Sequence, residues 1–360
     1  MVHRDFYSLT LETTYWAKHH LYDSSDDYVD DLLLEINKSR GKSDKDFLLV
    51  ATNLWEMFLL DDMDLWKALF DSFKRKGIDT ILVLDSAFKN KDTRQLDTEI
   101  FFIEYFIWRT CRKVLDHGVC GHNKKWNPNA NKFLMLNGKP HRKHRIRLLW
   151  KLSHLLDNAT WSLHVHQGTY DQCRALIPEL DDQQFEEFVN RHNRNPDNIE
   201  MQLMSNTTHY GGIPYDPDLY TNSLFSVISE CHFNTMDDRA PWLTEKTYIP
   251  ILNKVPFIIA GDNGSLSALN DLGFKTFEQY LPQSDYDTVV GSPQKLDVLV
   301  ENTQYWVENM EDKDSINADV EHNYRRLLEL ASSNRQRLME LCDKHNLDKN
   351  RIDEIINPDL

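Results

Sequence analysis

Phe225-Ser226-Val227-Ile228-Ser229-Glu230 and then, after an irregular run, Trp242-Leu243-Thr244-Glu245-Lys246-Thr247-Tyr248-Ile249-Pro250-Ile251-Leu252-Asn253-Lys254-Val255-Pro256-Phe257-Ile258-Ile259-Ala260-Gly261 decide how this chain folds. Ser223 to Glu230 reads as a buried strand that stops at a carboxylate. Thr244 is an N-cap residue, and Glu245 and Lys246 fall in the first turn of the helix that runs on to Leu252. Pro256 to Gly261 is a second apolar strand running into a glycine turn. Strand, helix and strand in succession predict a parallel sheet with helical crossovers.

The same alternation extends in both directions. Ser265 to Leu272 reads as a short helix with Gly273 as its C-cap. From Gln294 to Leu341 the pattern is helical and heavily charged. Upstream, Phe47 to Thr52 and Ile81 to Asp85 read as buried parallel strands, apolar on both faces. Leu54 to Lys76 is expected to form one or two helices, and Leu96 to Leu115 a dense aromatic helix. Gly121 to Asn131 looks like a connection. Beyond it come a strand over Lys132–Gly138 that stops at a turn, a helix from His141 to Leu156, a strand at Trp161–Val165, and a polar helix and long loop within Ile177–Tyr220. The fold class is α/β, with two facing Rossmann-like halves, each built on a parallel sheet. The expected divisions are an N-terminal α/β domain at 1–125, a ligand-binding α/β domain at 126–300 and a C-terminal helical segment at 301–360.

Composition narrows the function. With 360 residues the chain is long enough for two cores, and nine Trp among its 11% aromatics exclude global disorder. No apolar run is long enough for a membrane span or a secretory signal, so no membrane span is expected. The five Cys are scattered, odd in number and form no C-x-x-C, which argues for a reducing compartment and against a zinc knot. The predicted location is the cytoplasm. A net charge of −16 disfavours broad binding to nucleic acid. Yet from His117 to Leu156 there is no Asp or Glu, while Lys124, Lys125, Lys132, Lys139, Arg142, Lys143, Arg145, Arg147 and Lys151 all fall there. That segment is either a local anion site or a solvated basic face.

Two places carry candidate chemistry. At Leu136-Asn137-Gly138-Lys139-Pro140-His141-Arg142-Lys143-His144-Arg145 a strand ends and a helix begins among cations. These face the wrong end of the helix dipole unless an anion sits there. Arg145 is the best single candidate, because a guanidinium grips phosphate in a bidentate fork. At the second place Glu230 ends a strand, and Thr244, Glu245 and Lys246 open a helix. The acid can accept ribose hydroxyls and the ammonium can meet phosphate, although a capped helix with a local ion pair reads equally well. His19-His20 and His164-x-His166 have no third ligand at metal spacing, and Asp61-Asp62-x-Asp64, which could hold a divalent ion, lies inside a helical pattern and reads more simply as a solvated face, so no metal is expected. Gly261-Asp262-Asn263-Gly264 is not G-x-G-x-x-G, and neither a P-loop nor G-x-S-x-G occurs.

The run from Ser226 to Glu230, followed by Leu243-Thr244-Glu245-Lys246 and the strand ending at Gly261, resembles the donor-binding half of fucosyltransferase-like glycosyltransferases. Arg145, Leu148 and Leu152 occupy that family's Arg-x-x-Leu-x-x-x-Leu helix. Gly264-Ser265-Leu266, Leu272-Gly273-Phe274-Lys275-Thr276-Phe277 and Tyr286-Asp287 look like a subgroup frequent in large viruses and phages, for which the location would be the host cytoplasm. The likeness covers roughly residues 132–290. Where the family has Glu-Asn-Ser, this chain has Glu230-Cys231-His232, which leaves the donor sugar open.

The resemblance implies a GT-B type fold and metal-independent transfer with inversion. The donor would be a nucleoside-diphosphate sugar, GDP-linked by preference, with no other cofactor, and the acceptor a glycan or other hydroxyl. It further implies that Glu245 binds ribose, that Lys246 and Arg145 meet the diphosphate, and that Glu230 contacts the donor. An inverting transfer also needs a base near the acceptor hydroxyl. Asp85, at a strand end, is the candidate, with Glu104 and His20 as rivals and a turn-capping role as the alternative. The competing functions are glycosylation of a nucleic-acid base and a non-catalytic nucleotide- or sugar-binding module.

Overall fold

The computed structural model describes residues 6–10, 25–40, 48–53, 63–86, 95–117, 125–137, 140–193, 217–233, 241–289, 291–311 and 313–351. His19, His20, Asp61, Asp62, Gly138 and Lys139 lie outside these. The chain divides into two compact units, one formed by 1–108 with 332–360 and the other by 109–331. Residues 109–125 therefore belong with the second unit, and the C-terminal helical segment is shared between the two.

The first unit carries strands β1 (Phe6–Thr10), β2 (Leu48–Asn53), β3 (Asp79–Asp85) and β4 (Glu99–Ile103), paired in that order. All are parallel, with Ser8 opposite Val50, Val50 opposite Ile81 and Val83 opposite Phe101. Helices α1 (Ser25–Arg40) and α2 (Met63–Arg75) lie between successive strands in the chain. The middle of β3, Ile81 to Leu84, is fully buried, as a parallel strand with apolar residues on both faces should be. β1 and α1 were not expected from the sequence.

The helix expected over Leu96–Leu115 is corrected. Glu99-Ile100-Phe101-Phe102-Ile103 forms the edge strand β4, and the helix α3 runs only from Tyr105 to His117. A short aromatic and β-branched run has the same hydrophobicity in either state. Here the open edge of β3 takes its backbone groups, and the helix restarts after Glu104. Asp85 sets the restart: its carboxylate accepts the Tyr105 backbone N–H at 2.9 Å, satisfying one of the orphan donors of the α3 N-terminus.

In the second unit β5 (Phe133–Met135), β6 (Ala159–Trp161), β7 (Ser226–Ser229) and β8 (Phe257–Ala260) form a parallel sheet in the order β6-β5-β7-β8. The helices here are α4 (Lys143–Lys151), α5 (Tyr170–Ala175), α6 (Asp182–His192), α7 (Pro217–Thr221), α8 (Glu245–Leu252), α9 (Ser265–Asp271) and α10 (Ser292–Asn309). The helix α11 (Lys313–His345) carries the chain on into residues counted with the first unit. The expected helix from His141 is shorter than predicted, giving way to a 3-10 turn at Ser153–Asn158, and the strand expected at Trp161–Val165 lies at Ala159–Trp161 instead. Gly273 caps α9 at φ +86°, a conformation that suits glycine. α/β architecture with two parallel sheets is thus what the chain adopts. Among the described residues, no helix is long and apolar enough to cross a membrane.

The strand order matters for the site. In the first sheet the described strands follow in sequence order. In the second, the chain passes from β5 to β6 on one side and returns to β7 on the other. Such a reversal opens a crevice at the carboxyl ends of the two central strands, where ligands of α/β sheets bind.

Candidate functional site

The carboxyl ends of β5 and β7 and the first turns of α4 and α8 bring most of the sequence-predicted residues together. Glu230 follows β7, is 1% exposed, and has both carboxylate oxygens occupied. Oε1 accepts the Thr244 backbone N–H at 3.0 Å and the Thr247 hydroxyl at 2.6 Å. Oε2 accepts the Thr244 hydroxyl at 2.7 Å and the Cys231 N–H at 3.2 Å. Glu230 therefore brackets the start of α8 to the end of β7, and the geometry makes it a positioning residue with no carboxylate oxygen left over for a sugar. Its backbone N–H bonds Ala260, tying it to β8 as well. Gly261 follows β8 at a close approach that suits glycine, since a Cβ there would come within 2.9 Å of Ser265 Oγ.

Thr244 caps α8 as expected, accepting from Lys246 N at 3.4 Å. Glu245 and Lys246 form an ion pair at 2.7 Å. Burial of each works against its charge, yet the pairing prevails. The Lys246 ammonium holds the Glu245 carboxyl below the usual carboxylate range. Glu245, with Glu230 and Cys231 behind it, holds the Lys246 ammonium above its ordinary value. The Lys246 side chain keeps 32% of its surface exposed, so it can still meet a ligand.

Arg145 sits in the first turn of α4 and is 2% exposed. Its Nη2 donates to the Glu230 carbonyl at 3.1 Å, and its buried Nε–H has no partner among the described residues. No carboxylate of the described residues lies within 4.0 Å of it. Burial pushes its guanidinium below the usual range; Cys231 and, less strongly, the Glu230 carboxylate restore it only in part, and Arg142 adds to the fall. A buried cation without a paired anion is costly, and proteins rarely keep one unless something else neutralises it. The α4 N-terminus offers no relief: Arg142 at the cap makes no side-chain capping bond, and the first turn contains no acid.

Two other cations of the basic segment behave differently. Arg147 pairs with Glu179, and Lys151 with Asp297 at 2.6 Å. Those two positions of α4 are thus balanced by acids, and Arg145 is the buried cation of this helix without such a pair among the described residues.

Several contributors carried no assignment from the sequence. His144 donates from Nε2 to the Glu230 carbonyl at 2.9 Å and stacks on Phe233 at 5.1 Å. Arg142 donates to the Cys231 carbonyl. Lys295, fully buried, bonds the Gly261 carbonyl and Asn263 Oδ1. Asn137, just past β5, is also fully buried, and neither of its side-chain amide atoms has a partner among the described residues. The Ser229 hydroxyl at the end of β7 has none either. Arg142 and His144 were visible in the basic run, and Cys231 as a departure from the family pattern. Nothing in the sequence marks Asn137. Asp85 and Glu104 lie in the first unit. Asp85 caps α3, and the Glu104 backbone exchanges hydrogen bonds with the Asn334 side chain. No group of three His, Cys, Asp or Glu that could hold a metal ion occurs among the described residues.

His144 makes the site acid-sensitive. Burial first, and then the Arg145 charge, push its imidazolium down to about 3 from an ordinary value of 6.5. The unfolded chain therefore binds a proton that the folded one refuses between those values, and stability falls as pH drops through that window. One such group costs about 1.4 kcal/mol per pH unit. Urea unfolding at pH 7 and pH 5 should show a loss of about 2 kcal/mol from this residue. The His144→Gln variant should lack that part of the pH dependence. An unchanged pH dependence in the variant would remove His144 from the account.

Neither a protein-family model nor a curated protein matches the chain.

Proposed function

We propose that the chain is a glycosyltransferase that moves a sugar from a nucleoside-diphosphate sugar, GDP-linked by preference, to a hydroxyl acceptor, with the second unit as the donor side. The observation that carries this reading is Arg145, a buried guanidinium with an open N–H and no carboxylate partner, beside the crevice that the strand order creates. A diphosphate would supply the missing anion. As the glycosidic bond breaks, that diphosphate gains negative charge. Arg145 and Lys246 would stabilise it more in the transition state than in the ground state, which is the condition for a catalytic effect. Glu245, partly exposed and kept ionised by Lys246, is suited to accept ribose hydroxyls. Glu230 would serve indirectly, by holding the Thr244 cap and the Glu245–Lys246 pair in place.

The GT-B arrangement, inversion and metal independence follow from the family resemblance and belong to the same proposal. Asp85 as general base is part of it too, although the contact described for its carboxylate is the α3 cap. Pairing with acids takes Arg147 and Lys151 out of the basic stretch that favoured a nucleic-acid acceptor, which weighs against that alternative.

Calorimetric titration with GDP, UDP, CDP and ADP, without metal and then with Mg²⁺, tests the reading. One diphosphate should bind in the absence of metal, and Lys246→Ala should weaken it by about tenfold, the loss of one exposed charge-assisted contact. Well-folded protein that binds none of the four would overturn the proposal.

A further inference from the structure

The residue that follows Glu230 stands in an unusual charge environment. Cys111, Cys173 and Cys342 are buried, and burial pushes the thiols of Cys173 and Cys342 up to about 11, which makes them inert. Cys231 is partly exposed. Its sulfur lies 3.8 Å from Lys246 Nζ and close enough to the Arg145 guanidinium to act on that charge, while its carbonyl accepts from Arg142. Arg145 is the independent sign that this spot awaits an anion, since it is 2% exposed, its Nε–H has no partner among the described residues, and none of their carboxylates pairs with it within 4.0 Å, Glu230 acting on it only from farther off. The cations that would attract a phosphate must also attract an anionic electrophile, and they would deliver it to an accessible sulfur.

We infer that Cys231 is a modification site selective for anionic thiol reagents. With iodoacetate, the sulfur forms a bond to the methylene carbon, the carbon–iodine bond breaks, iodide leaves and the thiol proton passes to the buffer. With an anionic disulfide, the reagent class of a cell, the sulfur bonds one sulfur of the reagent. The reagent's own S–S bond breaks, its other half leaves as thiolate, and the proton again goes to solvent. Either adduct places a carboxylate beside Arg145 and Lys246, where it competes with a phosphate. Only that competition rests on the nucleotide reading above.

The test treats the native, folded chain with iodoacetate and, in parallel, with neutral iodoacetamide, and follows Cys231 by peptide mass spectrometry. A unit charge about 4 Å from the reagent's carboxylate should raise the iodoacetate-to-iodoacetamide rate ratio at Cys231 about fivefold over that of free cysteine. Lys246→Gln should lower the ratio, and Cys231→Ser should abolish the label. A ratio equal to that of free cysteine overturns the inference whatever nucleotides do. Inorganic pyrophosphate and each of the four nucleoside diphosphates should slow the labelling wherever they bind. A raised ratio that none of them changes upholds the thiol site and counts against the nucleotide reading instead.

Discussion

Replacing Arg145 by methionine should leave the second unit folded and no less stable, while its affinity for the nucleoside diphosphate falls by about a hundredfold or more. The two halves of this result have separate causes. In the folded protein the guanidinium is buried without a carboxylate, so removing its charge removes a desolvation cost. Substituting an apolar side chain of similar length for a buried charge is commonly neutral or stabilising by about 1–4 kcal/mol. The Glu230 carbonyl that Arg145 bonds is not orphaned by the change, because His144 still donates to it at 2.9 Å. In the complex, by contrast, the lost contact is a charge-assisted hydrogen bond to phosphate, worth about 1.5–3 kcal/mol, together with the attraction between opposite charges in a buried site. Thermal unfolding and calorimetry on the same variant separate the two effects. A large loss of stability with unchanged nucleotide affinity would make Arg145 a structural tie and remove the main support for the donor site.

Glu230 should behave in the opposite way. Its carboxylate accepts from the Thr244 N–H, the Thr244 and Thr247 hydroxyls and the Cys231 N–H, all in a buried or part-buried setting. Truncation to alanine strands several of these donors at once, and each stranded donor costs about 1–3 kcal/mol. Glu230→Ala should therefore destabilise the second unit by about 3–5 kcal/mol and displace the start of α8 with it. Glu230→Gln is the sharper probe. Whichever way the amide is turned, its NH₂ faces at least one backbone N–H, either that of Thr244 or that of Cys231. A hydroxyl can rotate to accept, but a backbone N–H cannot. A cost of about 2–3 kcal/mol is expected in urea unfolding, with nucleotide affinity reduced mainly through misplacement of Lys246. If Glu230→Gln were as stable as the parent and merely lost donor binding, Glu230 would be a ligand contact after all and the bracket would be wrong.

These two residues illustrate what could be recognised in advance. Arg145 was identifiable because a cation in the first turn of a helix, within a stretch free of Asp and Glu, contradicts the helix dipole and asks for an anion. Glu230, Thr244, Glu245 and Lys246 were identifiable as a strand end followed by a helix start. Their separate roles were not, because a carboxylate at a strand end looks the same whether it faces a ligand or a pair of threonines. Asn137 and Cys231 show the other limit. A buried amide without partners is defined only by what surrounds it, and the charge beside Cys231 comes from Arg145 and Lys246, which are distant from it in the chain. The strand at Glu99–Ile103 was misread as helix for a related reason: a short apolar run carries no period of its own, and the free edge of β3 chose its state.

The chain by itself thus determined the class of the fold, two parallel sheets with helices between strands, and the two segments where chemistry gathers. Local period, caps and charge order are properties of neighbouring residues, and they survive without the rest of the molecule. The tertiary structure alone decided the β6-β5-β7-β8 order that opens a crevice beside Glu230. It decided the pairing of Arg147 and Lys151 with remote acids, and the burial that leaves Arg145 without one. The physical reason is that desolvation and charge compensation depend on which groups the packed chain brings within a few ångströms of one another, and no local pattern encodes that distance.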